Sequence, residues 1–209
     1  LGNATVPTIS HDGERVAVSL RSQNSKVSRL YLGNLNDSSM DIIDTKGLEP
    51  DNISWSKDGE SLYFYAPVER ASGIYKITLS SGNIQQLSKS GEHYLVEGDN
   101  NKLYVTRLNL NGIWLLDPES MQVTLVNNNL AAADFGAIYW QSGHLYYLRR
   151  NPNADEVRRI LLDGSEDIVA SFMPNSIRKF FGISKANEHS LIATLKLSNE
   201  SDINSVQVY

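Results

Sequence analysis

The four histidines of the sequence are the first residues that could carry chemistry, because imidazole is a common ligand of zinc. They are His11, His93, His144 and His189. Three of them fall in or beside polar turns, and these turns are spread along the chain. A zinc site needs three or four ligands in one place. We therefore interpret the histidines as solvated turn residues and predict no metal ion and no other cofactor.

A serine near the end of the chain comes close to a hydrolase motif. The segment Gly182-Ile183-Ser184-Lys185-Ala186 resembles Gly-x-Ser-x-Gly, but that motif requires a sharp turn from a strand into a helix. Here it falls on a segment with strand character. The sequence also contains no Walker A loop, His-Glu-x-x-His motif or Gly-x-Gly-x-x-Gly motif. We therefore predict that the chain has no catalytic residue and is not an enzyme.

Two acidic and amide-rich segments contain the oxygen ligands that calcium prefers. They are Glu97-Gly98-Asp99-Asn100-Asn101 and Asn151-Pro152-Asn153-Ala154-Asp155-Glu156. Neither has the ligand spacing of an EF-hand loop. We interpret both segments as turns between strands.

All of these residues belong to a sequence repeat. Each copy contains a short apolar strand, a polar turn and a second apolar strand, and the first apolar residue after the turn is the anchor of the copy. The anchors recur every 41 to 46 residues and are Val16, Leu62, Leu103, Leu145 and Leu191. A third strand follows every anchor and a fourth follows in most copies. Four antiparallel strands per repeat are typical of a propeller blade.

The repeat predicts an all-β fold, a single β-propeller domain over residues 1–209 with about five four-stranded blades, either complete or open. The expected blades are 7–50, 51–91, 92–134, 135–178 and 179–209. The fifth copy reaches Tyr209 within its third strand, and the segment Leu1 to Val6 is too short to be a good closing strand. Helix content is expected to be minor, with one turn near residues 130–134.

Basic residues recur at the end of the second strand of each copy, mostly four or five positions after the anchor. They are Arg21, Arg70, Arg107, Arg149 with Arg150, and Lys196. Equivalent positions of a propeller lie on one face, so these residues predict a ring of positive charge that attracts an acidic partner. The alternative is that single charges at strand ends only keep the loops soluble.

Aromatic side chains recur at one site of the third strand. Tyr31, Tyr75 and Trp114 occupy it in the first three copies, and we predict that they pack between neighbouring sheets. Arg158 replaces the aromatic residue in the fourth copy. That sheet is therefore expected either to pack differently or to have its register displaced by one residue.

The overall composition limits the class of protein. The chain has 19 basic and 24 acidic residues, a formal net charge of −5 and no cysteine. This charge argues against a nucleic-acid binder that depends on neutralising phosphates. The absence of cysteine excludes disulfides, thiolate metal sites and cysteine nucleophiles. No apolar run reaches the roughly 18 residues of a membrane-spanning helix.

The second copy carries a family resemblance. Its segment Ile53-Ser54-Trp55-Ser56-Lys57-Asp58-Gly59-Glu60-Ser61-Leu62-Tyr63-Phe64, followed by Gly73-Ile74-Tyr75-Lys76-Ile77, resembles the TolB-like repeat, also called the WD40-like PD40 repeat. The resemblance extends across the chain and is weakest in the fifth copy, where Ala186-Asn187 replaces Asp-Gly. It implies a β-propeller in a bacterial envelope setting.

Such propellers also occur as periplasmic sensory domains of ToxR- or CadC-like transcription regulators, behind a transmembrane helix. We therefore expect a noncatalytic domain that binds a protein partner or small ligand through one loop face, with the membrane anchor outside this sequence. The expected location is the periplasm. Two alternatives stay open: the gating propeller of a prolyl-oligopeptidase-like peptidase, and a TolB-like envelope scaffold.

Overall fold

The computed structural model of the 209-residue chain describes residues 3–4, 7–21, 27–37, 39–68, 72–89, 91–161, 163–177, 183–187, 190–197 and 200–207. The regular structure of these residues is β-strand, apart from two 3-10 turns at Asp99–Asn101 and Ala132–Asp134. The all-β prediction is confirmed, and the second 3-10 turn lies where the sequence predicted one. Within the described ranges, no helix has the length and apolarity needed to span a bilayer.

The strands form five sheets, each made of consecutive strands. The strands of the first sheet are β1 (Asn3–Ala4), β2 (Thr8–Ile9), β3 (Arg15–Arg21), β4 (Ser28–Asn34) and β5 (Met40–Ile43). Those of the second are β6 (Asp51–Trp55), β7 (Ser61–Ala66), β8 (Gly73–Thr78) and β9 (Ile84–Gln86). Those of the third are β10 (Glu92–Glu97), β11 (Leu103–Arg107), β12 (Leu110–Asp117) and β13 (Gln122–Asn127).

The last two sheets complete the series. The strands of the fourth sheet are β14 (Ile138–Gln141), β15 (His144–Arg150), β16 (Asp155–Ile160) and β17 (Glu166–Phe172). Those of the fifth are β18 (Ile183–Asn187), β19 (Ser190–Leu197) and β20 (Glu200–Gln207). The second, third and fourth sheets therefore have the four strands that the repeat predicts, and the fifth has three among the described residues.

The first sheet has five strands because its first strand is interrupted. Both β1 and β2 pair with β3, in the registers Asn3↔Arg21 and Thr8↔Ala17. The two short segments thus pair with successive parts of one neighbour. The segment before Pro7 extends the first strand of its own sheet.

The Asp-Gly turns between first and second strands share one hydrogen-bond pattern. In the second sheet, the Ser56 hydroxyl donates to Asp58 at 2.6 Å, and Asp58 accepts from the backbone N–H of Glu60 at 2.8 Å. Ser56 Oγ also accepts from the N–H of Ser61 at 2.9 Å. Gly59 has a φ of +72°, a backbone conformation that glycine adopts without the strain of a Cβ. The turn at residues 10–15 repeats this pattern.

Each sheet has two distinct ends because its strands are antiparallel. The turn end carries the link from the first to the second strand and that from the third to the fourth. The connection end carries the link from the second to the third strand and the chain that leads to the next sheet. The predicted basic residues that lie in described strands, Arg21, Arg107, Arg149, Arg150 and Lys196, belong to the connection ends.

The chain divides into two compact units, and the division passes through the third sheet. The first unit comprises Leu1–Glu97, Leu103–Val105 and Leu115–Thr124, and the second comprises Gly98–Lys102, Thr106–Trp114 and Leu125–Tyr209. The main core of the first unit contains Ala17, Leu30, Ile53, Trp55, Leu62, Phe64, Ala66, Tyr75 and Ile77. A core of the second contains Ala137, Tyr146, Leu148, Val157 and Ile177.

Arg15 of the first sheet and Trp55 of the second make polar contacts between the two sheets. The Arg15 guanidinium lies 4.9 Å from the centre of the Trp55 ring and donates to the carbonyl oxygen of Gly59 at 3.0 Å. Trp55 Nε1 in turn donates to the carbonyl oxygen of Thr8 at 3.1 Å. The first and second sheets are therefore joined by polar contacts as well as by apolar packing.

Candidate functional site

Four of the predicted basic side chains have different surroundings at their strand ends. Arg21 ends β3 and is about half exposed, with a side-chain accessibility of 51%. Its Nη2 lies 3.3 Å from a Glu49 carboxylate oxygen, and its Nε lies 3.3 Å from Ser28 Oγ. An exposed pair of this kind contributes about 0–1 kcal/mol. The Arg21 guanidinium is therefore accessible to a binding partner.

Arg107 ends β11 and stacks on an aromatic ring. Its guanidinium lies 5.7 Å from the centre of the Trp114 ring, and Trp114 is one of the recurring third-strand aromatics. A cation over the face of an indole is attracted by the ring quadrupole. Trp114 thus orients this half-buried arginine at the connection end of the third sheet.

Arg149 and Arg150 are adjacent in β15 and project to opposite faces of the sheet, because side chains alternate along a strand. Arg149 lies opposite Glu156 of β16 and is half-buried. Arg150 lies opposite Asp155 and contacts two buried carboxylates. Only one of the two neighbouring arginines is therefore held by buried acidic groups.

The Arg150 clamp, which we define as Arg150, Asp134, Asp155 and Ile177, holds three segments together. Arg150 Nε and Nη2 donate to the two oxygens of Asp134 at 2.7 and 3.0 Å. Its Nη1 donates to Asp155 at 2.7 Å, and its Nη2 also donates to the carbonyl oxygen of Ile177 at 3.0 Å. Burial disfavours the charged guanidinium, but the two carboxylates raise the pKa of Arg150 above its usual value. The 3-10 turn, the start of β16 and the chain at Ile177 are thereby fixed to the end of β15.

Arg70 and the side chain of Lys196 lie outside the described residues. Lys196 belongs to β19, where its backbone is opposite Ser201. The positive ring as a whole stays a prediction, with Arg21, Arg107 and Arg149 as its accessible or half-buried members in the described part of the chain. The Arg150 clamp was not foreseen from the sequence.

Arg158 explains how the fourth sheet differs from the first three. At the site where the other copies have an aromatic ring, its Nε contacts Glu156 at 2.7 Å and its Nη1 contacts Glu166 at 3.2 Å. The pairing of β16 with β17 shifts register between Val157 and Arg158. The sequence predicted a changed packing or a displaced register here, and both occur.

Glu166 is the centre of a polar cluster in the second unit. Its carboxylate accepts from the Tyr147 hydroxyl at 2.8 Å, from Arg158 at 3.2 Å and from Asn129 Nδ2 at 3.3 Å, and Asn127 Nδ2 also donates to it. Burial raises the pKa of Glu166, but the donated hydrogen bonds outweigh it and the pKa lies below its usual value of 4.5. The cluster connects the end of β13 with the start of β17.

The lowered pKa of Glu166 predicts acid sensitivity. A carboxyl whose folded pKa is depressed contributes stability that is present above about pH 4.5 and is lost as pH falls through the folded pKa. Glu166→Gln removes this contribution, so the variant is expected to lose less stability than the parent chain between pH 7 and pH 3. Urea midpoints at both pH values measure the difference. Glu119→Gln, at an exposed turn position, is the control, and an equal acid response of the parent and Glu166→Gln chains would contradict the assignment.

The described residues among those considered for catalysis and metal binding belong to different strands and turns. Ser184 is in β18, opposite Ile192 in an antiparallel pair, so it does not sit at a strand-to-helix turn. His11 is in an exposed turn. His93 packs against the Tyr65 ring at 4.3 Å between ring centres, and burial lowers its pKa although Asp51 opposes the shift. His189 lies outside the described residues, and within them no group of three histidine or acidic side chains could hold a metal ion.

Comparison with known proteins identifies the fold. No family model matches the chain. TolB from Acinetobacter baumannii superposes with a TM-score of 0.72 at 18% identity, covering 99% of this chain and 52% of that one. The tricorn protease superposes with a TM-score of 0.71 at 11% identity, covering 99% of this chain and 22% of that one. Among curated proteins, dipeptidyl-peptidase 5 of Porphyromonas gingivalis is 30% identical over 97 residues, which are 44% of this chain and 14% of the peptidase.

The chain thus spans about half the length of the TolB structure and a small part of the two peptidases. The superpositions, together with the antiparallel sheets, establish the fold and leave activity to be argued from the residues. The chain has a TolB-like β-propeller fold.

Proposed function

We propose that the chain is a noncatalytic binding propeller that captures a partner at the connection ends of its sheets. The observation that carries the proposal is the contrast between Arg149 and Arg150. Arg150 binds two buried carboxylates and thereby fixes the neighbouring loops. Arg149 lies opposite Glu156 on the same strand and remains half-exposed. Arg21 and Arg107 occupy equivalent strand ends in their own sheets. Binding groups on a rigid frame lose less conformational entropy when a partner docks.

The proposed partner is an acidic protein or an acidic small ligand. Arginines at strand ends steer an oppositely charged partner even on a chain whose net charge is −5. The family resemblance and the TolB superposition support a setting outside the cytoplasm. In that setting, we propose that the chain is the sensory domain of a membrane-anchored bacterial transcription regulator, with the anchor and any DNA-binding region outside this sequence.

The charge proposal predicts a salt-dependent association. With a fluorescein-labelled peptide of ten glutamates as the probe, the association rate is expected to fall as NaCl rises from about 50 to 300 mM, because the Debye length shortens. Arg149→Glu is expected to lower the rate several-fold at low salt, since it removes one attraction and adds one repulsion. Stopped-flow fluorescence measures both effects.

A charge change at the opposite end of a sheet provides the control. Lys102→Glu places the same change at the turn end of the third sheet, and its effect on the association rate is expected to be smaller. An association rate that is independent of salt, or an equal loss in both variants, would contradict binding at the connection ends.

A second candidate function is the gating propeller of a peptidase. The similarity to dipeptidyl-peptidase 5 over 97 residues favours it. The sequence of the complete gene distinguishes the two proposals. A downstream hydrolase region with a Gly-x-Ser-x-Gly elbow supports the peptidase. An upstream winged helix followed by an apolar segment of about 20 residues supports the regulator. A signal peptide and a separate amino-terminal α/β domain would instead support an envelope scaffold like TolB.

A further inference from the structure

One face of the first sheet is apolar and open to solvent. Residues directly opposite each other in an antiparallel pair point to the same face, as do alternate residues of one strand. The registers therefore place on one face the residues Ile9, Val16, Val18, Leu20, Arg29, Tyr31, Gly33, Met40 and Ile42. We call this surface the Tyr31 face, because Tyr31 is its member at the recurring aromatic site of the third strand.

The apolar side chains of the Tyr31 face form a continuous surface. A Cβ atom added at Gly33 would lie 3.0 Å from Val16 Cγ1 and 3.3 Å from Met40 Cε, so these two side chains meet over the glycine. Ile9, Met40 and Ile42 are 51–59% exposed. A contiguous exposed apolar patch marks an interaction surface, whereas single exposed apolar residues are ordinary.

The second sheet shows what kind of surface covers such a face. The equivalent positions of its strands are occupied by Trp55, Leu62, Phe64, Tyr75, Ile77 and Ile84. All six belong to, or pack against, the core that also contains Ala17 and Leu30 of the first sheet. The same face of the repeat is therefore buried by an apolar sheet in the second copy and exposed in the first. The natural occupant of the Tyr31 face is another apolar sheet face.

Charged residues at the two ends of the first sheet favour a second copy of the chain as that occupant. Arg29 is exposed on the Tyr31 face at the connection end, where Arg21 and Lys46 are paired with acidic side chains. The Arg15 guanidinium at the turn end contacts the second sheet. The turn end also carries three exposed carboxylates, those of Asp12, Glu14 and Asp37. Two copies that meet with antiparallel strands therefore place each basic end over an acidic end.

We propose that the Tyr31 face is the interface of a homodimer, in which two copies of the chain pack their first sheets together about a two-fold axis perpendicular to the strands. Two-fold symmetry is the commonest arrangement of homo-oligomers and uses the same patch on both copies. The dimer buries Ile9, Met40 and Ile42 as the core between the first and second sheets buries their counterparts. This inference is independent of the proposed function, because it requires no acidic partner.

Analytical ultracentrifugation tests the proposal. Four strands about 4.8 Å apart give a face roughly 20 Å wide, which is at the low end of the sizes of specific interfaces. The parent chain is therefore expected to change from monomer to dimer between about 2 and 200 µM. A monomer at every concentration would overturn the proposal. Species that keep growing beyond the dimer would also overturn it, because they indicate a head-to-tail contact between different surfaces.

Ile42→Glu locates the interface. It places a carboxylate in the apolar contact of both copies, so it is expected to raise the dissociation constant about tenfold or more. Ile42 is 56% exposed, so the variant is expected to keep the parent unfolding midpoint when measured below the dimer range. Ile168→Glu, at a position 52% exposed on β17 of the fourth sheet, is the matched control and is expected to keep the parent dissociation constant. Equal dissociation constants in the two variants would overturn the assignment.

A charge exchange tests the orientation of the two copies. Arg29→Glu makes both ends of the face acidic, and Glu14→Arg makes the turn end less acidic. Each is expected to weaken the dimer several-fold at low salt. The double variant restores opposite charges at positions 14 and 29 and is expected to recover most of the parent affinity. Additive losses in the double variant would overturn the antiparallel arrangement, because independent sites give no coupling.

Discussion

Arg150→Met is expected to lower the free energy of unfolding of the 209-residue chain by about 3–5 kcal/mol, because it leaves buried carboxylates without their counter-ion. Asp134 would lose the donors to both of its oxygens, and Asp155 would keep only the Ile177 N–H. Methionine retains most of the aliphatic volume, so the loss reports on charge and hydrogen bonding more than on a cavity. Urea unfolding at pH 7, followed by circular dichroism and tryptophan fluorescence, measures the effect.

Arg149→Met is the matched control, since it makes the same change one residue earlier on the opposite face of β15. We expect its effect to stay within about 0.5 kcal/mol, as for most surface substitutions. Adding Asp134→Asn to Arg150→Met is expected to recover part of the stability, because it removes one of the buried charges that the first substitution leaves unpaired. Equal losses in the two single variants would show that the clamp contributes no more to stability than the half-buried Arg149 does.

The clamp also affects how binding data should be interpreted. Arg150 holds the chain at Ile177 and the 3-10 turn containing Asp134, so its removal disturbs the loops of the connection end without removing a contact to a partner. A loss of binding in Arg150→Met that is accompanied by a lower unfolding midpoint reports on this positioning role. A loss in Arg149→Glu at an unchanged midpoint reports on direct recognition.

The sheets were predictable from the sequence because their signals are local. The spacing of Val16, Leu62, Leu103 and Leu145 places each anchor in a second strand, and the described strands β3, β7, β11 and β15 contain these residues. The Asp-Gly turns could also be predicted from the sequence, since the positive φ at Gly13 and Gly59 suits a residue without a Cβ. A 3-10 turn near residue 132 followed from a short run of alanines between two strand patterns.

The polar clusters could not be predicted in the same way, because their members are distant in sequence. The alternation of β15 shows that Arg149 and Arg150 point to opposite faces, but not which of them meets Asp134 and the chain at Ile177. Those contacts depend on how the connection after β17 returns to the sheet. Arg158 was the exception: its substitution for an aromatic residue at a recurring site was a visible signal, and the structure places two glutamates beside it.

Phe64→Ala is expected to cost about 3–5 kcal/mol of unfolding free energy, which is the usual range for removing a buried aromatic ring. Phe64 is fully buried in the core that the first and second sheets share. Its ring stacks on Tyr75, with 5.8 Å between ring centres and 16° between planes. The substitution removes the apolar area of the ring and leaves a cavity beneath the recurring aromatic site of the third strand.

Two further variants show whether the loss comes from packing between the sheets. Phe64→Leu keeps an apolar side chain of intermediate volume, so it is expected to cost clearly less than the alanine variant, on the order of 1–2 kcal/mol. Met40→Ala, at a position that is 51% exposed on β5, is expected to change stability by less than about 0.5 kcal/mol. The loss of unfolding free energy should therefore be largest for Phe64→Ala, intermediate for Phe64→Leu and smallest for Met40→Ala. If Phe64→Ala cost no more than Met40→Ala, the core around Phe64 would not be what joins the first sheet to the second.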